Sequence, residues 1–515
     1  MKKVKLSKRG ILACILLLGG NLLFFFTIWL LSKYDQIQLD QVIFQMKTPA
    51  AGANKNLMTS AFLRVGVFGI GLTALEFFVY RIFTGRTPRL CKRIKNYATL
   101  CAGKLGRWFK KGAIPFSSAM LIFSIVLFVF KLNVPAYVEA LFKESDFIKD
   151  HYVDPMQAQV TFPEEKRNLI YIFLESMENT YAEPEAGGQI TENFIPELTQ
   201  LADENVFFSN DKGYGGAVSF PGSTWTAAAM VSQTSGIVIK VPLTADTYGG
   251  EDRFIPGIVS IGQLLEQQGY NQTLLLGSDA AFAGRESYFT EHGNYQIIDI
   301  NSLKKDGRLP EDYREWWGYE DEKLFAFAKE ELTKLGESDK PFNFTMLTAD
   351  THFPDGYLCP SCGSEHKEQY ANVLSCSSKK VLEFVKWIQA QPFYENTTII
   401  LSGDHLTMDP KFLEETDENY TRTIYNCFIN AAIEPQKTQN RQFATFDMFP
   451  TTLAAMGVTV EGDRLGMGTN LFSGKKTLLE QYGYEYLSKE MNRKSVFYNR
   501  ELLQMSNVIE KNEVS

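Results

Sequence analysis

The sequence predicts an α/β domain with a mostly parallel, helix-covered sheet, carried on an N-terminal helical membrane anchor. Three observations predict it. Long apolar runs fill the N-terminal part. Further on, four short apolar runs each close on an acid or a histidine, as buried parallel strands do when their C-terminal ends feed a site. Segments with helical periodicity and caps lie between them.

Bulk composition narrows the class. A chain of 515 residues, 45% of them hydrophobic, can bury a large core and is neither disordered nor fibrous. The net charge of −8 conceals a basic N-terminal part and an acidic remainder. The remainder therefore offers no basic stripe for a nucleic-acid backbone. Seven cysteines are too few for a disulfide scaffold.

The anchor comes first, over 1–133. Apolar runs near Gly10–Leu31, Ala61–Phe83 and Phe116–Leu132 are expected to form about three transmembrane helices. The first is too long for a signal-peptide core and has no small-residue cleavage site after it. Glu76 lies inside the second run, where a carboxylate is costly; it either faces another helix or sits near a helix end. Five of the first nine residues are basic, and so is the loop 81–115. Basic loops stay in the cytoplasm, which puts everything after the third span outside. A juxtamembrane connector at 134–165 follows, with an amphipathic helix over Tyr137–Phe147.

The large domain, 166–475, opens on Asn168-Leu-Ile-Tyr-Ile-Phe-Leu-Glu175, a buried strand delivering Glu175 to its end. A helix over Thr191–Asp203 and a strand at Val206-Phe-Phe-Ser209 come next. The stretch 213–230 is a glycine-rich loop entering an alanine-rich helix, with Ser223 and Thr224 near the helix start. A hydroxyl there lies among unpaired N–H groups at the positive end of the helix dipole; plain N-capping is the alternative reading. After a helix over Ile258–Gln268, the strand Gln272–Gly277 delivers Asp279, and Arg285 follows, either as a fork suited to phosphate oxygens or in a surface salt bridge with a nearby glutamate. A helix over Asp321–Lys334 precedes the strand Phe342–Thr348, which ends in Ala-Asp-Thr-His352. The strand Thr397–Ser402 ends in Gly-Asp404-His405. A polar tail is expected over 476–515.

Glu175, Asp404 and His405 with a helix-start hydroxyl make a mixed oxygen and nitrogen set that suits Mn²⁺ or Zn²⁺. Such a metal lowers a hydroxyl's pKa and makes it a nucleophile for displacement at phosphorus. Cys359, Cys362 and Cys376 lie in the part expected outside the membrane, so disulfide pairing of Cys376 with one of the other two is expected. Zinc is the alternative, weakened by the lack of a second closely spaced pair.

These motifs resemble a known family. Leu-Glu-Ser (174–176), Phe-Pro-Gly-Ser-Thr-Trp-Thr-Ala-Ala-Ala-Met (220–230), Phe-Ala-Gly-Arg-Glu (282–286), Asp-Thr-His-Phe-Pro-Asp-Gly (350–356), Ser-Gly-Asp-His (402–405) and the run 446–457 are similar to the alkaline phosphatase and sulfatase superfamily. Within it they resemble the membrane-anchored group of lipoteichoic acid synthases and phosphoglycerol transferases I. The resemblance implies a sulfatase-type fold and one divalent metal, Mn²⁺ ahead of Zn²⁺, on Glu175, Asp404, His405 and the nucleophile. It places His352, Arg285 and Asp279 on the phosphoglycerol head group. For the nucleophile it leaves Ser223, favoured by counting back from Met230, or Thr224, the expected residue type. Thr226 becomes the second hydroxyl three residues on. Phe173 departs from the lipoteichoic acid synthase pattern, which has histidine there.

The implied reaction is transfer of phosphoglycerol from phosphatidylglycerol to a hydroxyl of an extracytoplasmic glycan or glycolipid, through a phospho-enzyme. The implied location is the cytoplasmic membrane, with several spans and the catalytic domain on the outer face. Phosphoethanolamine transfer, lipoteichoic acid polymerisation and an inactive membrane-anchored scaffold are the alternatives. Sulfate-ester hydrolysis is disfavoured, since the sequence has no Cys-x-Pro-x-Arg.

Overall fold

The computed structural model describes residues 8–34, 37–48, 55–83, 104–242, 248, 253–409, 412–414, 416–417 and 419–505. The chain divides into two units, 1–39 with 53–138, and 40–52 with 139–515.

In the first unit, helical stretches Lys8–Lys33, Leu57–Arg81 and Lys111–Lys131 are each long and apolar enough to cross a membrane. Ile15, Phe62, Phe68, Ile122 and Phe130 are exposed on them, as side chains solvated by lipid would be. Glu76 faces another helix: its Oε2 accepts from Asn21 Nδ2 at 2.8 Å, and the same amide donates to Thr73 Oγ1 at 3.0 Å. Most of the basic loop 81–115, residues 84–103, lies outside the described residues.

The second unit is built on a sheet of six strands: β2 (Asn168–Leu174), β3 (Asn271–Leu276), β4 (Gln296–Ile298), β5 (Phe342–Leu347), β6 (Thr397–Gly403) and β7 (Asn426–Ile429), in the order β4-β3-β5-β2-β6-β7. A satellite pair joins β1 (Val160–Thr161) to β8 (Thr459–Val460). All neighbours in the large sheet are parallel except β7, which runs antiparallel along β6. Every residue of β2, β5 and β6 is buried. Helices cover both faces, so strands without a charged residue, largely apolar, replace the alternation of a half-exposed sheet. Ser260 and Gln263 close a capping box on the helix Ile261–Gln267. The helices Asp321–Gly336 and Gln369–Gln389 bury apolar stripes on the sheet, among them Leu324, Ala328 and Leu332 on the first and Val381, Val385 and Ile388 on the second.

Four expectations change. Val206–Ser209 is not a strand: it makes one bridge, Val206 to Phe428, and then leaves the sheet edge. The helix expected from Thr191 begins at Pro196, whose fixed φ and missing N–H suit the first helical position. The connector helix covers Val134–Phe142, with a separate short helix at Phe147–His151. Of the expected polar tail, 478–505 is folded: helices Leu478–Tyr482 and Tyr484–Asn492 bury Leu478, Leu487 and Met491, and Tyr498, Leu502 and Leu503 are buried after them.

The Asn21–Glu76 bond gives a direct test. Replacing Asn21 with leucine strands a carboxylate in apolar surroundings and should lower the stability of the detergent-solubilised protein by on the order of 1 kcal/mol. Thermal unfolding of the variant beside Glu76→Gln would measure it; the glutamine variant should lose less.

Candidate active site

The register of the sheet builds the site. Leu174 stands opposite Gly403 and Phe173 opposite Leu347, so β2, β5 and β6 end on one line. The next residues, Glu175, Thr348 and Asp404, therefore emerge together. Glu175 N–H donates to Thr348 Oγ1 at 2.9 Å, and Asp404 N–H to Leu174 O at 3.1 Å. Gly403 makes this possible, because a Cβ there would collide with the Met177 carbonyl. After β2 the chain turns sharply, with Ser176 at φ +54°. Its N–H donates to Asp404 Oδ1 at 2.8 Å, and its hydroxyl to Glu175 Oε1 at 2.9 Å.

Glu175, Asp404 and His405 converge, all three buried, with one ligand atom of each within 4.8 Å of the others. His405 Nδ1 bonds Leu406 O at 2.8 Å; a carbonyl only accepts, so Nδ1 carries the hydrogen and Nε2 faces the cluster. That nitrogen lies 3.4 Å from Asp404 Oδ2 and 3.6 Å from Glu175 Oε1. The fourth member is Thr226. Its hydroxyl is 3.2 Å from His405 Nε2 and 3.5 Å from Glu175 Oε2.

The hydroxyl beside the cluster is therefore neither of the two expected from the sequence. Ser223 is buried away from the cluster, its hydroxyl donating to Phe220 O at 3.0 Å and accepting from Phe220 N–H at 3.1 Å. Thr224 lies in the same loop, and no bond joins it to the cluster among the described residues. The helix Thr226–Ser235 is capped by Trp225, so Thr226 is its first residue and lies where the unpaired N–H groups and the dipole act most strongly. Trp225 is fixed in turn by Phe44, from the short helix Leu39–Lys47, with ring centroids 5.1 Å apart.

The electrostatics suit a cation. Burial, reinforced by the charge of Glu175, pushes Asp404 up to about 7. His405 rises because the two carboxylates outweigh the opposing effect of burial. Asp404 Oδ1 accepts two N–H bonds, from Ser176 and His405, while Oδ2 has no hydrogen-bond partner. An orphaned carboxylate oxygen, a second carboxylate and an imidazole nitrogen meeting at one point form a donor set that a divalent metal fits.

Arg285 and His352 flank the cluster. Arg285 is buried, donating to Ser278 Oγ at 3.0 Å, Asp279 O at 2.7 Å and Phe282 O at 3.1 Å. Burial lowers it to about 10, against the pull of Glu175 and Asp279, so it stays cationic. Among the described residues no carboxylate forms an ion pair with it, which leaves the charge to an anion. Asp279 accepts from Ala281 N–H at 3.0 Å and shapes the turn that carries Arg285. His352 lies against Trp317, with centroids 4.2 Å apart, and its Nδ1–H donates to Phe353 O at 2.7 Å. Burial first, then the positive charge of His405 and Arg285, lowers His352 to about 4.

Sequence reasoning did not single out what supports the site. Glu178 is fully buried and takes a two-pronged bond from Arg422, at 2.7 Å and 3.0 Å, and another from Thr407 N–H at 2.9 Å. It thereby holds the loop after His405. The only signal was an acid three residues beyond Glu175, with nothing to name its partner across 244 positions.

Two outcomes should follow. Arg422→Ala leaves Glu178 buried without its counter-charge and should cost about 3–5 kcal/mol, read as a fall in the denaturation midpoint. His352 takes its proton near 6.5 when unfolded but near 4 when folded, so the unfolded chain binds more protons between those values. Its contribution to stability is complete above pH 6.5 and is lost as pH falls toward 4. The Tm of His352→Gln should therefore drop less steeply than that of the wild type across that window.

A family profile described as Sulfatase matches residues 167–458. Phosphoglycerol transferase I of Salmonella choleraesuis (strain SC-B67) is 30% identical over 336 residues, covering 63% of this chain and 41% of that protein. Phosphoglycerol transferase I of Shigella flexneri is 30% identical over 339 residues, with the same coverage of both chains. The chain thus spans about two fifths of the length of the curated relatives it matches. Among solved structures, lipoteichoic acid synthase LtaP from Listeria monocytogenes is similar with a TM-score of 0.48 and 19% identity, over 64% of this chain and 80% of that one.

Proposed function

The chain belongs to the Sulfatase family, and we propose that within it the protein is a membrane-anchored phosphotransferase that moves phosphoglycerol from phosphatidylglycerol to a hydroxyl of an extracytoplasmic glycan or glycolipid. The observation that carries the proposal is the Thr226 hydroxyl, held at a helix N-terminus between Glu175 and His405. The relatives named phosphoglycerol transferase I support the choice of donor class.

In the proposed reaction Thr226 Oγ attacks the lipid phosphorus and loses its proton. An Oγ–P bond forms, the P–O bond to diacylglycerol breaks, and diacylglycerol leaves with a proton. An acceptor hydroxyl then attacks the same phosphorus; the Oγ–P bond breaks and Thr226 regains its proton. Glu175, Asp404 and His405, with Thr226, would hold one divalent metal, Mn²⁺ ahead of Zn²⁺ because oxygen donors predominate. When bound, that metal supplies Lewis-acid stabilisation of charge on the attacking and phosphoryl oxygens. Arg285 keeps its positive charge in a buried setting and binds a phosphoryl oxygen, while the helix N-terminus adds its dipole. His352, neutral with Nε2 unprotonated, accepts a hydrogen bond from a glycerol hydroxyl, and Asp279 keeps Arg285 in place.

The anchor over 1–133, the connector 134–165 and a catalytic domain opening at 166 complete the proposal, with the domain on the outer face by the positive-inside rule. Confinement to the surface that carries a lipid donor raises the effective concentration of that donor.

Membranes holding the protein, incubated with labelled phosphatidylglycerol or phosphatidylethanolamine, test both donor and nucleophile. Diacylglycerol should form from phosphatidylglycerol, and a labelled adduct should appear on wild type and Ser223→Ala but not on Thr226→Ala, whose turnover should fall at least 10³-fold, about 4 kcal/mol. Release from phosphatidylethanolamine alone would change the head group. An adduct that survives in Thr226→Ala but not in Ser223→Ala would return the role to Ser223.

A further inference from the structure

We propose that Cys359, Cys362 and Cys376 form a second metal site, for a thiophilic divalent cation such as Zn²⁺, which pins the loop following Asp350-Thr-His352 to the helix Gln369–Gln389. The three Sγ atoms lie within 4.8 Å of one another. Cys359 Sγ is 3.3 Å from Cys362 Sγ and 3.9 Å from Cys376 Sγ. Sulfurs bound at about 2.3 Å to a tetrahedral zinc stand about 3.8 Å apart, whereas a disulfide brings two of them to about 2 Å. The 3.9 Å separation matches an edge of such a tetrahedron, the 3.3 Å one is about half an ångström short of it, and both are far longer than a disulfide bond.

The backbone is arranged for the same purpose. Cys362 N–H donates to Cys359 O at 3.0 Å, closing Cys-Pro-Ser-Cys into a turn that aims both thiols the same way. Cys376 comes from the facing helix. The Cys-x₂-Cys spacing is one that zinc ligands use, and Cys376 brings a third sulfur from the helix. Cys359 is buried and the other two are half-buried, so a cation can enter from one side.

Charge supports the assignment. Three thiols that release their protons to solvent, with one divalent cation, leave a net charge of −1. Lys380 Nζ donates to Cys359 Sγ at 3.0 Å and lies 3.6 Å from Asp350 Oδ2, an oxygen without a hydrogen-bond partner. One ammonium thus balances the thiolate cluster and touches the residue that opens the His352 segment. No fourth histidine, cysteine or carboxylate joins the group among the described residues, so a solvent oxygen takes the last corner. The rival, a disulfide, joins two sulfurs and leaves the third as a free thiol beside them.

The test uses the full-length protein in detergent, with metal content by elemental analysis and intact mass under native conditions. A Glu175→Ala, Asp404→Ala background removes the carboxylates of the first cluster. One equivalent of zinc should remain there and disappear on adding Cys376→Ser, with circular dichroism confirming the fold. If that variant does not fold, Co²⁺ exchanged into the metal-stripped wild type should give a near-ultraviolet thiolate-to-cobalt band. A metal-free chain lighter by two hydrogens, with two of the three thiols resistant to alkylation, overturns the proposal in favour of a disulfide, as does the absence of that band. Because the first cluster is disabled, failure here is separate from failure of the proposed transferase reaction.

Discussion

The structure turns on two carboxylates held together against their mutual repulsion. Glu175 and Asp404 follow strands that are hydrogen-bonded in register along their whole length, so the ladder between β2 and β6 fixes their approach before either side chain makes a contact. Burying an anion and setting a second one beside it are both unfavourable, and burial first, then the charge of Glu175, raises the pKa of Asp404. The surroundings answer with donors: Ser176 and His405 N–H groups on one Asp404 oxygen, and the Ser176 hydroxyl on Glu175. One oxygen is left over. A positive charge that settles between the two acids relieves their repulsion and meets that oxygen.

Positive charge nearby is distributed by role. Arg285 keeps a cation in the interior with no carboxylate in ion-pair range among the described residues, and backbone carbonyls hold its guanidinium in a fixed orientation. Glu178 and Arg422 do the reverse: they neutralise each other fully and serve as a strut under the loop of His405. An unneutralised cation beside the cluster and a neutralised pair beneath it separate the group that can meet a ligand from the groups that hold the shape.

Much of this was legible in the sequence. A parallel strand covered on both faces carries no charged side chain until it ends, so the acid after each run stood out at Glu175, Asp279, Asp350 and Asp404. Other parts left weaker traces. β4 has three residues and β7 is a short antiparallel edge, too brief for periodicity to register. Counting back from Met230 points to Ser223, whereas the hydroxyl beside Glu175 and His405 is that of Thr226, the first residue of a helix whose N-cap position is Trp225. Residues 478–505 looked like a tail because their average composition is polar, yet Leu487 and Met491, four apart on one helix, both point inward. Convergence of Cys359, Cys362 and Cys376 depends on how a loop folds back on a helix, which spacing alone does not encode.

Gly403 imposes a different kind of limit. The missing side chain at the last residue of β6 is what lets the Met177 carbonyl pass, and with it the turn that carries Ser176 between the two acids. Even the smallest added group would push that turn outward and change the spacing of Glu175 and Asp404 without altering either of them. The reach of the site is therefore set by an empty volume the size of one methyl group, and variation elsewhere in the chain can retune the chemistry only within the gap that this glycine leaves.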